Sequence, residues 1–190
     1  MHTDETIRTF IAIKISSELE KAFKNLLKEL KKICCNVKWV NPESIHLTLK
    51  FLGNLTKSNI KEVFKGTKEA IRDFSSFQIK TKESGAFPSI KKPRVFWVGL
   101  EADNQTLIQL QNKIDDELFR LGFEKDPRRF HPHLTVGRVG SPKNIEEVIQ
   151  KFVEYPFPEI RFKVDQILIM KSELTPKGAL YSIQNAISLK

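Results

Sequence analysis

Two short stretches with the same side-chain order, far apart in the chain, constrain this fold more than any other feature. Ile45-His46-Leu47-Thr48-Leu49-Lys50-Phe51-Leu52-Gly53 contains a His-apolar-Thr-apolar unit, and Pro132-His133-Leu134-Thr135-Val136-Gly137-Arg138 repeats it 87 positions later. In both, polar and apolar residues alternate as in a half-buried strand. His46 and Thr48 then share one face while Leu47 and Leu49 turn to a core. His133 and Thr135 share a face in the same way, with Leu134 and Val136 on the other side. The chain has four histidines, and two of them occupy these matched frames. One such frame is an ordinary strand edge. Two in a short chain predict a paired site.

The intervening patterns read as alternating strands and helices. Thr9 to Ile13 is a largely apolar strand suited to the middle of a sheet. Ser17 is positioned to cap the next helix, with Glu20 at capping-box spacing, and Leu19, Phe23, Leu26, Leu27 and Leu30 form its apolar stripe. That helix is expected to end near Cys34. Val37 to Val40 is a brief strand, Asn41 to Ser44 a turn, and Gly53 the close of the first histidine strand. Thr56 caps a second helix striped by Ile60, Val63, Phe64, Ala70, Ile71 and Phe74. Phe77 to Thr81 resumes β alternation, Gly85 to Pro88 breaks it, and Arg94 to Leu100 is the next strand. Leu107, Leu110, Ile114, Leu118 and Leu121 mark a third helix stopped by Gly122. Ile145, Val148, Ile149, Phe152 and Val153 mark a fourth, and Arg161 to Met170 and Ala179 to Leu189 are two closing strands. The order of elements, broadly repeated around each motif, predicts a duplicated α+β arrangement in which the two histidine strands approach about a pseudo-twofold axis.

A chain of 190 residues suits one domain, or two small lobes, with a sizeable core. No apolar run is long enough for a membrane span, and no signal-peptide pattern opens the chain, so a cytoplasmic location is expected. Cys34 and Cys35 are adjacent, a spacing poor for a bridge and too few for structural zinc. They are read as reduced thiols at a helix end. A net charge of +9 favours a polyanionic partner such as RNA.

Two imidazoles facing one another, one neutral and one protonated, suit concerted general acid–base catalysis. The neighbouring threonine hydroxyls can hold the oxygens of a phosphate, and Arg138 can neutralise developing charge. No carboxylate stands within or beside either motif, which argues against a divalent-metal site. A zinc site would draw on His131, whose expected role is instead a surface or core histidine; His2 is expected in a mobile end. A cyclic phosphodiester, strained and needing a proton on its leaving oxygen, is the natural substrate.

At these residues the sequence resembles the two-histidine (2H) phosphoesterase superfamily, and within it the RNA 2′,3′-cyclic phosphodiesterase family, historically called 2′-5′ RNA ligase. The likeness runs from Arg8-Thr9-Phe10-Ile11-Ala12-Ile13 through Trp39-Val40, both motifs, Phe87-Pro88 and Arg94 to Gly99, to Ser172-Glu173-Leu174 and Gly178 to Tyr181. The resemblance implies one bilobal domain over residues 1–190, with two antiparallel sheets flanking a cleft and helices on the outer faces. It implies cofactor- and metal-independent opening of RNA 2′,3′-cyclic phosphate ends to 2′-phosphomonoesters. The catalytic histidines fall on His46 and His133, the phosphate-binding threonines on Thr48 and Thr135, and the family arginine on Arg138. The favoured order has His46 protonate the leaving 3′ oxygen and His133 activate water; the sequence leaves that order open, and the roles exchange in reverse ligation. Phe10 and Phe51 are candidates for stacking on a nucleobase, and Arg94, Lys125, Arg128 and Arg129 for guiding an RNA backbone. The expected state is a monomer acting on RNA ends, tRNA fragments among them, away from membranes. Competing readings are 2′-5′ ligation, the reverse reaction on the same residues, and a non-catalytic RNA-end-binding module.

Overall fold

The computed structural model describes residues 5–33, 36–176 and 178–190; His2, Cys34 and Cys35 lie outside the described residues. Among the described residues nine strands and four α-helices follow in the order β1 (Ile7–Lys14), α1 (Ser17–Leu30), β2 (Val37–Trp39), β3 (His46–Leu55), α2 (Lys57–Ala70), β4 (Phe77–Phe87), β5 (Val95–Ala102), α3 (Thr106–Arg120), β6 (His133–Val139), α4 (Glu146–Glu154), β7 (Arg161–Val164), β8 (Gln166–Thr175) and β9 (Gly178–Ser188). The strands form one curled nine-stranded antiparallel sheet rather than two separate ones, in the order β7-β4-β5-β6-β3-β1-β8-β9 with the short β2 added to β6; its halves are β7-β4-β5-β6 and β3-β1-β8-β9. They meet through a single register pair, Leu47 with Leu134. Those leucines are the apolar centres of the two repeated motifs, so the sequence repeat is also the seam of the fold.

Helices cover one face of the sheet. α3 packs on β3 and β5, α2 against α3, and α1 against α4. One continuous core lies beneath them, joining Ile11, Ile13, Leu47, Phe96, Leu134 and Val136 from the strands to Leu19, Phe23, Leu110 and Ile114 from the helices. Burial of each such side chain contributes about 1.5–3 kcal/mol, which holds the motif strands to the helical layer by their apolar residues. The polar residues of the motifs are thereby left on the opposite, open face.

Ser16, not Ser17, caps α1, accepting from the Leu19 amide, and the helix stops at Leu30, short of the cysteines. Either serine satisfies the capping composition, and the entry of the chain from β1 decides between them. Thr56 caps α2, accepting from the Asn59 amide, and α2 stops at Ala70, before Phe74. Gly85 does not break β4, which continues to Phe87 with an irregular register between Thr81 and Ser84. Gly53 lies inside β3 rather than at its end, at φ +70°. The stretch from Arg161 to Met170 divides at Asp165, because β7 pairs with β4 while β8 crosses to β1.

Two bulges decide what faces the open side. In β3 the pairing to β1 skips Leu49, so Ala12 matches Thr48 and Ile11 matches Lys50. Leu49 and Lys50 are consequently both buried, and Phe51 returns to the face of His46 and Thr48. In β6 the pairing to β5 skips Val136, so Trp97 matches Thr135 and Phe96 matches Gly137. Val136 and Gly137 both turn to the core, which brings Arg138 round to the face of His133. Gly137 is required there, since a Cβ would stand 2.5 Å from the Trp39 ring, inside van der Waals contact.

Candidate active site

Extending the Leu47–Leu134 pair by one residue each way sets His46 across from Thr135 and Thr48 across from His133. Each histidine thus neighbours the threonine of the other motif. The two histidines are diagonal neighbours, with Cα atoms about 7–8 Å apart in such a ladder. All four residues are half-buried on the open face.

Both imidazoles are held in the same way. His46 Nδ1 lies 2.8 Å from the Ser44 carbonyl oxygen, and His133 Nδ1 lies 2.6 Å from the His131 carbonyl oxygen. A carbonyl only accepts, so each Nδ1 carries the proton and Nε2 is the free acceptor of each neutral ring. Local structure fixes both carbonyls. Ser44 ends a one-turn 3-10 helix, Pro42–Ser44, capped by the Asn41 side chain. His131 and Pro132 run extended into β6, where the Pro132 carbonyl accepts from the Leu100 amide.

Aromatic rings seat the imidazoles. Phe10 lies 4.8 Å from the His46 ring, and Tyr181 meets that ring edge-on at 4.9 Å. Phe87 meets His133 edge-on at 5.0 Å, and the His131 ring packs on Trp97 at 4.9 Å. Phe10 is therefore not a rim residue free to stack on a base. It is 2% exposed, covered by His46 and Tyr181. Phe51 is 58% exposed and occupies the open face beside it. Phe87 and Tyr181 were legible in the sequence only as parts of stretches that carry the family likeness, without a role beside the histidines.

Burial is the main influence on both histidines and pushes each below its ordinary value, against the opposing effect of the carbonyl bond. For His133 the charges of His131 and Arg138 push in the same downward direction. Arg138 is exposed and lies in register with Val95 on one side and Lys38 on the other. Of the cations expected to guide RNA, two are engaged elsewhere. Lys125 pairs with Asp116, and Arg128 grips both oxygens of Asp126, at 2.9 and 2.7 Å. That grip holds the Asp126 carboxyl at about 2. Arg94 precedes β5 and is exposed, its carbonyl accepting from the Val139 amide. Among the described residues, no three His, Cys, Asp or Glu side chains converge as ligands for a metal ion, and no helix is long and apolar enough to cross a membrane.

This geometry, an antiparallel sheet whose halves join at paired His-x-Thr strands, has counterparts among known proteins. A family model described as the 2′-5′ RNA ligase superfamily matches residues 14–176. The chain belongs to that superfamily. A relative from Thermotoga maritima, named RNA 2′,3′-cyclic phosphodiesterase, is 36% identical over 178 residues, covering 93% of this chain and 92% of its own. One of the same name from Methanothermobacter thermautotrophicus is 32% identical over 177 residues, covering 93% and 95%. Among solved structures, E. coli LigT in apo form superposes with a TM-score of 0.74 at 24% identity, over 98% of this chain and 99% of that one. At that identity the likeness concerns the fold.

Proposed function

We propose that the protein is an RNA 2′,3′-cyclic phosphodiesterase that opens the cyclic end to a 2′-phosphomonoester with its two imidazoles and no metal. The observation that carries this reading is the matched pair of histidines at the seam, each with Nδ1 bonded to a carbonyl oxygen and each set by the Leu47–Leu134 pair across from the other motif's threonine. The named activity of the Thermotoga and Methanothermobacter relatives supports the substrate class.

In this mechanism the phosphate sits between the rings, its non-bridging oxygens accepting from Thr48 and Thr135. His133 Nε2 takes a proton from the attacking water. His46, as imidazolium, delivers its Nε2 proton to O3′, so the P–O3′ bond breaks as the P–O(water) bond forms. Arg138 neutralises charge on the phosphoryl oxygens. The division of labour follows from the neighbours: the cations of His131 and Arg138 favour a neutral, basic His133. On binding, the anionic phosphate favours the charged form of the other ring. The donor set supports a metal-free route, since the cleft offers imidazoles and hydroxyls without a carboxylate.

Incubation with RNA ending in 2′,3′-cyclic phosphate, in excess EDTA, tests the reading. The expected product carries a 2′-phosphate, formed at an undiminished rate. A 3′-phosphate product would overturn the leaving-group assignment, and loss of turnover in EDTA, restored by a divalent cation, would overturn the metal-free mechanism.

A further inference from the structure

The backbone around the two histidines is repeated, but its side chains are not. On β1, Phe10, Ala12 and Lys14 lie in register with Phe51, Thr48 and His46. On β5, Val95, Trp97 and Gly99 lie in register with Arg138, Thr135 and His133. Each motif strand skips one residue directly after its threonine, so the two scaffolds match position for position. Lys14 in one half corresponds to Gly99 in the other, and Phe51 corresponds to Arg138. The strands run antiparallel through Leu47 and Leu134, so Lys14 and Arg138 fall at one end of the cleft. Phe51 and Gly99 fall at the other.

β2 strengthens the difference. It fills the place beside β6 that β3 vacates as the halves diverge, and it sets Lys38 in register with Arg138. Paired residues point to the same face, which puts Lys14, Lys38 and Arg138 on the open side with the histidines. All three are exposed, and among the described residues none has a carboxylate partner. This contrasts with Lys125 and Arg128 beyond the other end, which are neutralised by Asp116 and Asp126. One end of the cleft is thus cationic and unpaired, while the other carries an exposed phenyl ring.

We propose that Lys14 and Lys38 form a subsite for the phosphates that precede the cyclic end, making oligomeric RNA rather than a cyclic mononucleotide the substrate. The inference rests on the phosphodiesterase reading of the histidines. The polyanionic strand leaves across the cationic end, and the terminal base lies towards Phe51. Two lysine–phosphate contacts on a single strand contribute a salt slope of about −1.4 in log affinity against log salt.

The test compares wild type with Lys14→Gln/Lys38→Gln on two substrates, an RNA oligomer with a 2′,3′-cyclic end and a 2′,3′-cyclic mononucleotide. The double variant is expected to lose about tenfold in kcat/KM on the oligomer at low salt, with a salt slope shallower by about one unit or more. Its kcat/KM on the mononucleotide stays unchanged, and Lys14→Arg/Lys38→Arg keeps the oligomer rate and its salt slope. Unchanged oligomer kinetics, or equal loss on both substrates, would overturn the subsite. A wild type that opens neither substrate would instead refute the underlying phosphodiesterase reading.

Discussion

Replacing either motif histidine with alanine is expected to lower kcat/KM for a cyclic-ended RNA by about 10³–10⁴-fold, and replacing both by scarcely more. A positioned acid or base contributes about 10²–10⁴-fold, and groups that act as a unit give non-additive losses. The structure makes them neighbours: the Leu47–Leu134 seam sets each histidine across from the other motif's threonine. RNA affinity is retained in these variants, because the cations and hydroxyls of the cleft remain. Single-turnover rates with excess enzyme, together with a binding titration, check both parts. If the double variant loses the product of the two single losses, the histidines act independently and the pairing is wrong.

The second large effect lies beneath the site. The bulge at Leu49 directs Lys50 into the core, where its ammonium pairs with Asp115 on α3 and donates to the Glu124 carbonyl oxygen at 2.6 Å. Lys50 is 4% exposed and Asp115 9%. Removing one partner strands the other charge away from water, at a loss of about 3–5 kcal/mol. Asp115→Leu is therefore expected to destabilise the fold by about that amount, seen as a lower denaturant midpoint. Lys50→Met/Asp115→Leu, which removes both charges, recovers most of the loss. The pair also ties the first motif strand to α3 and to the segment entering the second motif. A single variant that is no less stable than wild type would show that water reaches this pair.

That the two motif strands adjoin was legible in the sequence because its signal is local. A His-x-Thr unit on an alternating strand fixes which residues share a face within three positions, and two copies identify the seam. Alternation fails at a bulge, however, and both motif strands bulge one residue after the threonine. Straight counting from His133 places Arg138 on the wrong face, and only the cross-strand register shows that skipping Val136 returns it. The same slip buries Lys50 and exposes Phe51. Phe10 was legible as an aromatic near the motif but not as the floor under His46, because Tyr181, from the far end of the chain, covers it. The division of the penultimate strand at Asp165 has a similar cause. β7 and β8 have the same strand-like composition and differ only in partner, which local pattern does not encode. The lysine pair at the cationic end was equally hidden, since Lys14 and Lys38 come from different strands and meet the site only through register.

The pH dependence of kcat/KM tests the paired-imidazole account most directly. Turnover needs one ring protonated and the other neutral, so the profile reports both rings of the free enzyme. Burial lowers both. For His133 the charges of His131 and Arg138 act in the same direction. The account predicts a bell with its maximum on the acid side of about 6.5, the ordinary imidazole value, and a tenfold fall per pH unit above it. In His46→Ala or His133→Ala the bell is lost from the residual activity. A profile that rises through neutrality to a plateau, or one unchanged by removal of either histidine, would contradict the account.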